Sequence, residues 1–204
     1  GDYARIAEAA KDNLKVTTIV NAAPHGSGGP GAARLDEWAE AIRLMNCGNC
    51  SDVLGFVFTN YGRRDFDLIK ADIDKWYAWY PVSGIFLDEL PSELDMLGPD
   101  RNTYLANYER IYNYIKSKGD PTNTRVMANP GTRTDELFLT GGTSGGKFYG
   151  RAADDLILLE NTADCVTAPA AAFSGRQCGA GSGAVSVYPA PKMPLGTTPT
   201  RTRK

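Results

Sequence analysis

The sequence predicts an α/β fold, a (β/α)8 TIM-type barrel whose first strand and last units are not recognisable. Three observations predict it. Short apolar runs begin near residues 16, 53, 84, 125 and 155, and most of the gaps between them hold a helix pattern. The runs lie roughly 30–40 residues apart, the length of a repeated βα unit on a parallel sheet. They are apolar with little alternation, as strands covered on both faces are. A doubly wound sheet fits the same pattern. A barrel needs eight units and typically ~250 residues, whereas this chain of 204 residues offers five runs and opens on a helix. If it is a barrel, the first strand is absent from the amino terminus.

The elements follow in order. Tyr3 to Asn13 has helix formers, with Ile6, Ala9 and Ala10 on one stripe. Val16 to Val20 is a β-branched run and reads as a strand. A Gly- and Pro-rich loop runs from Asn21 to Gly31. Asp36 to Met45 reads as a helix with Trp38, Ile42 and Met45 on one face, and Asp52 to Thr59 as a buried strand. Asp65 to Tyr80 is strongly amphipathic, with Phe66, Ile69, Ile73, Trp76 and Tyr77 together. Gly84 to Leu87 is a strand running into Asp88-Glu89. Thr103 to Lys118 is an aromatic-rich helix, Arg125 to Ala128 a strand ending in Asn129, and Asp155 to Leu159 a strand ending in Glu160. Residues 1–163 thus form a partial barrel domain. Residues 164–204 form a Gly-, Ala-, Pro- and Thr-rich tail expected to be poorly ordered, with one strand-like run, Ala184 to Pro189.

Composition narrows the function. Lysine plus arginine number 22 and aspartate plus glutamate 24, a net charge of −2 with pI near 5.5. Such a balance gives no electrostatic argument for nucleic acid or an anionic membrane. No run approaches the roughly 18 apolar residues of a membrane span. The single histidine, His25, excludes a multi-histidine metal cage and reads as an ordinary exposed residue. The four cysteines permit two disulfides without requiring them. The start at Gly1-Asp2-Tyr3 reads as a mature product or a fragment. Asn49-Cys50-Ser51 is a formal glycosylation triplet, meaningful only in a secreted chain. Nothing bears on oligomeric state.

Polar residues gather where the strands end. Asn21 closes the first, Thr59-Asn60-Tyr61 the second, Asp88-Glu89 the third, Asn129 the fourth and Glu160 the fifth. Parallel α/β folds carry their sites at these carboxyl ends. Asp88 shares a strand parity with Phe86 and Glu89 with Leu87, so one should face the pocket and the other the rim. Glu160 can meet either across the mouth. Two carboxyls across a cleft suffice for glycoside hydrolysis, one as acid on the leaving oxygen and one as nucleophile or base. Tyr61 and Tyr104 are placed to stack on sugar rings, while the Trp-Tyr run at 76–80 reads as core.

Three other motifs read as weaker. Gly26-Ser-Gly28-Gly-Pro-Gly31 matches the dinucleotide pattern, but strand and helix stand too far from it to seat a pyrophosphate. Gly141 to Lys147 nearly matches a phosphate-binding loop, but Phe148 replaces the required Ser or Thr, and it reads as a flexible loop. Cys47-Gly-Asn-Cys50 lies after a helix and before a strand, the wrong place for a redox pair. Cys165 and Cys178 do not form the second close pair that zinc would need.

Several segments together resemble the spherulation-specific, spherulin-four type family, similar to the family 135 glycoside hydrolases with endo-galactosaminidase activity. They are Val16-Thr-Thr-Ile-Val-Asn21 with Gly29-Pro30-Gly31, Val53 to Thr59 with Tyr61-Gly62, and Asp72-Ile73 with Trp79-Tyr80. Gly84-Ile-Phe-Leu-Asp88-Glu89, Asn129-Pro-Gly-Thr132 and Leu158-Leu-Glu160-Asn161 complete the series over residues 3–162. The resemblance implies a barrel with an acidic groove and a secreted or surface enzyme. Its substrate would be an α-1,4-linked, partly N-acetylated galactosamine polysaccharide of biofilms or cell walls. It implies Asp88, Glu89 and Glu160 as catalytic residues, Asn21, Tyr61 and Asn129 as substrate contacts, and no cofactor or metal. The adjacent Asp-Glu also leaves room for attack by the sugar's own acetamido group. The family's first strand and last two units have no clear counterpart here, and Val185 to Pro189 is a candidate to fill the first strand's place. An alternative is a non-catalytic spore-coat or cell-wall protein derived from that barrel. A doubly wound sheet binding a phosphorylated ligand through the 26–31 loop is a third.

Overall fold

The computed structural model describes residues 16–23, 28–46, 51–92, 101–120, 123–131, 134–161 and 184–189; the side chains of 158–161 and 184–189 lie outside that description. The expected amino-terminal helix, His25, all four cysteines and most of the tail therefore fall outside the described residues. In chain order the elements are β1 (Val16–Val20), α1 (Asp36–Met45), β2 (Ser51–Phe58), α2 (Phe66–Trp79), β3 (Gly84–Asp88) and α3 (Arg101–Lys116). Then follow β4 (Arg125–Asn129), α4 (Leu137–Thr140), β5 (Gly142–Ser144), β6 (Lys147–Tyr149), β7 (Asp155–Asn161) and β8 (Ala184–Pro189).

Five strands, β1, β2, β3, β4 and β7, pair in parallel and in sequence order, and β8 is added antiparallel to β7. They form a curled half-barrel. A doubly wound sheet is excluded, because its strand order reverses at a switch point and its helices cover both faces. Here the order never reverses. All helix residues of the core lie in one cluster with Val53, Val57, Ile85, Leu87, Val126 and Leu156. The other face carries Leu54, Phe86, Met127 and Ile157 with Phe56, and no helix residue joins them. A closed eight-stranded barrel is not what the described residues form. β1 ends the sheet on one side and an antiparallel strand ends it on the other. Val185 to Pro189 does not take a first strand's place beside β1; it lies on β7, at the opposite edge.

Local sequence explains the elements. Asp65 caps α2 by accepting from the Asp67 N–H at 2.7 Å, and Tyr80-Pro81 stops the helix. Ile69, Ile73 and Trp76, spaced for one face, are its buried residues. The Trp76 indole lies flat against β2 where Gly55 leaves no side chain. A Cβ there would stand 2.5 Å from the indole. The indole N–H donates to the Phe56 carbonyl at 2.8 Å, so β2 and α2 are locked by one residue pair. Residues 141–147 are not a bare loop. They belong to the β5–β6 hairpin, whose turn is Gly145-Gly146 in left-handed conformation. The composition that suggested flexibility is the composition that such a turn requires.

The amino ends of the strands are closed on the inner face by charge. The Arg125 guanidinium donates to Asp155 at 2.6 Å, Asp52 at 2.9 Å and Thr17 at 2.7 Å, joining β1, β2, β4 and β7. The apolar layer of Leu54, Phe86, Met127 and Ile157 separates this floor from the opposite rim, where the candidate site lies.

Candidate functional site

All the strand-end residues singled out by sequence stand at the carboxyl rim, but they are not all brought together. Asp88 is the last residue of β3, in phase with Phe86, and so belongs to the inner face. Asn129 is paired with it in register on β4. The Asn129 amide oxygen accepts from the Gly131 N–H at 2.8 Å, which turns its nitrogen toward Asp88, and that nitrogen donates to the Asp88 carboxylate at 3.1 Å. The loop after β4 thus orients the amide, and the amide orients the acid.

Glu89 departs from the simple alternation. The strand stops at Asp88, and Glu89 takes a left-handed backbone with φ 56°. A non-glycine residue held there costs roughly 1–3 kcal/mol and marks a place where neighbours over-determine the backbone. Asn60 and Tyr61, directly across from it, are also left-handed, with φ 51° and 52°. Burial, and next the nearby charge of Asp88, raise the Glu89 carboxyl above its ordinary pKa. The strand alternation therefore ends at Asp88, and Glu89 follows it in a turn.

The reason for the turn is a cluster of hydrogen bonds that the sequence did not reveal. The Tyr61 N–H donates to the Glu89 carbonyl at 2.8 Å, and the Thr59 N–H donates to the Asp88 carbonyl at 3.1 Å. The buried Thr59 hydroxyl reaches both carbonyls, at 2.7 Å and 2.9 Å, and meets the Tyr108 hydroxyl at 2.7 Å. Gly62 is pressed against α3. A Cβ there would lie 2.4 Å from the Tyr104 ring, so only glycine lets the Tyr61 loop close down. The Tyr61 side chain itself is 44% exposed at the rim.

Asn21 and Glu160 are placed differently. The Asn21 amide oxygen is taken by the Gly29 N–H at 2.8 Å, so this residue fastens the loop after β1, beside Phe56. Gly28, Gly29 and Gly31 are all left-handed, and α1 begins only at Asp36. The strand–turn–helix geometry of a nucleotide site is not formed there. Glu160 lies near the end of β7, with its side chain outside the described residues. The register of β7 slips by one between Ile157 and Leu159. Ile157 pairs with Val187 and Glu160 with Val185, so Glu160 stands two ladder positions beyond Ile157 and in phase with it. Among the described residues, no group of three or more His, Cys, Asp or Glu is arranged to hold a metal ion, and no helix is long and apolar enough to cross a membrane.

The sequence model of Spherulation-specific family 4 matches residues 3–197. The chain belongs to this family. Spherulin-4 of Physarum polycephalum is 32% identical over 135 residues, covering 66% of this chain and 36% of its own length. The chain therefore spans little more than a third of that relative. The crystal structure of Aspergillus clavatus Sph3 in complex with GalNAc superposes with a TM-score of 0.58 at 24% identity, covering 78% of this chain and 60% of Sph3. That likeness is one of fold. The family match runs well into the Gly- and Ala-rich stretch beyond residue 163.

Proposed function

We propose that this chain is a glycoside hydrolase acting within galactosamine-containing, α-1,4-linked, partly N-acetylated polysaccharide, outside the cell or at its surface. The observation that carries the reading is the Asp88–Glu89 pair at the carboxyl end of β3. One acid is fixed by Asn129, and its neighbour is pushed toward the protonated form by burial and by Asp88's charge. Environments that separate two carboxyls in this way suit acid and base roles. Glu89 carries the proton that the leaving glycosidic oxygen takes as the bond to the anomeric carbon breaks. The anomeric carbon is then met by a carboxylate, Asp88 or Glu160, by water activated there, or by the substrate's own acetamido oxygen. Tyr61 offers a ring face, and Asn21 and Asn129 offer amides, to the sugars alongside. The GalNAc held in the Sph3 structure is the sugar unit of this substrate class.

The test is reducing-end release from a partly N-acetylated α-1,4-galactosamine polymer by the parent chain, Asp88→Asn, Glu89→Gln and Glu160→Gln. Release by the parent that falls by about a hundredfold or more in the variants supports the reading. A second reading, a non-catalytic wall or spore-coat protein that binds polysaccharide, is favoured by the open side of the half-barrel. Ile19, on the inner face of edge strand β1, is 41% exposed, so one wall of the groove is missing among the described residues. That reading predicts no release by any chain and undiminished binding by the amide variants.

A further inference from the structure

We propose that Thr59 and Tyr108 are positioning residues for the acidic pair, joining the Tyr61 loop and the Asp88–Glu89 turn into a single unit; this rests on the glycosidase reading of that site. In an extended strand, successive carbonyls point to opposite sides. One hydroxyl can serve the carbonyls of both Asp88 and Glu89 only where the chain turns between them. The Thr59 hydroxyl does so, at 2.7 Å and 2.9 Å, and the left-handed Glu89 backbone is that turn. Thr59 is fully buried, so a valine would fill the same space. What only a hydroxyl supplies is the pair of bonds.

Tyr108 sets the direction of the Thr59 proton. Its phenol is buried, and burial opposes its ionisation, so it stays a donor across the working pH range. The two carbonyls can only accept, so they take the Thr59 proton, and the phenol donates its own proton to the Thr59 oxygen. The chain of bonds runs from Tyr108 on α3 through the Thr59 hydroxyl, just past the end of β2, to the carbonyls of the acids, and the Gly62 N–H ties the Tyr61 loop to the Thr59 carbonyl. Broken at any link, it lets Glu89 relax toward ordinary backbone angles and carries its carboxyl away from Asp88.

The experiment compares Thr59→Val, Tyr108→Phe and Thr59→Ser with the parent, after circular dichroism has confirmed folding. It measures polymer cleavage over a pH series and follows Glu89 titration by carboxyl 13C NMR. Thr59→Val and Tyr108→Phe are expected to lose tenfold or more in kcat with KM within about twofold, as a small misplacement of a reacting group does. The pH-profile limb that follows Glu89 moves to lower pH, and Thr59→Ser, which keeps the hydroxyl, recovers most of the rate. A parent that cleaves, with Thr59→Val equal to it in kcat and pH profile, overturns the positioning role and leaves the glycosidase reading intact. A parent that does not cleave overturns the glycosidase reading, and the NMR titration then decides the positioning role. A Glu89 pKa lower in Thr59→Val than in the parent upholds it, and an unchanged value overturns it.

Discussion

At Glu89 two costs meet in one residue: a left-handed backbone without glycine and a half-buried carboxyl beside Asp88. Because its pKa is raised on folding, the folded state favours the protonated form. Stability from this group is full below the ordinary value of 4.5 and falls as pH rises through the raised one. Glu89→Gln should therefore melt higher than the parent at pH 7, and the gap should close below pH 4.5. Thermal unfolding at both pH values checks this, and a variant less stable than the parent at pH 7 would contradict it. Such a trade of stability for a charged, strained group is expected at a working site rather than in a scaffold. Asn129 carries a different load. Asn129→Ala removes the acceptor of the Gly131 N–H and one donor to Asp88, which should cost about 1–3 kcal/mol in denaturant unfolding.

At the scale of elements, β2 and α2 depend on Gly55. Gly55→Ala drives a methyl group into the Trp76 indole, and unfolding should show a loss of about 1–3 kcal/mol. The strands were legible as short apolar or β-branched runs, and the long helices by their period. Val16–Val20 and Asp36–Met45 stand where β-branching and the Trp38, Ile42, Met45 spacing put them. What was not legible lacks a period. α4 is four residues long, and β5 and β6 are three each around a glycine pair. β8 has strand composition, but composition does not say which edge it joins or in which direction. The strand-end acids were legible as residue types. The Thr59–Tyr108 bond was not, because it joins positions 49 apart that no pattern links. The slip in β7 is a further case. It puts Glu160 in phase with Ile157, which strict alternation over residues 157–160 does not give.

Across the whole molecule, the half-barrel separates stability from chemistry. Its amino-end floor is the Arg125 network, its middle the apolar layer, and its carboxyl rim the acids. Arg125→Met removes the guanidinium that Asp52 and Asp155 share and should destabilise the chain by about 3–5 kcal/mol. Its rim residues should keep their arrangement wherever the variant is folded. On the outside, Asp74 of α2 is drawn down to about 2: burial alone would raise it, but hydrogen bonds from Lys118, Lys70 and Tyr114 outweigh that. The α2–α3 seam therefore contributes fully above pH 3.8 and loses that contribution as pH falls toward 2, and Asp74→Asn should flatten acid unfolding over that window. The central claim is that the carboxyl rim is one sugar site. Amide and side-chain NMR shifts during titration with a short α-1,4-linked, partly N-acetylated galactosamine oligosaccharide test it most directly. The account predicts shifts concentrated at Tyr61, Asp88, Glu89 and Asn129, with Thr17, Asp52 and Arg125 unmoved. Shifts scattered over the surface, or none at the rim at millimolar sugar, would contradict it.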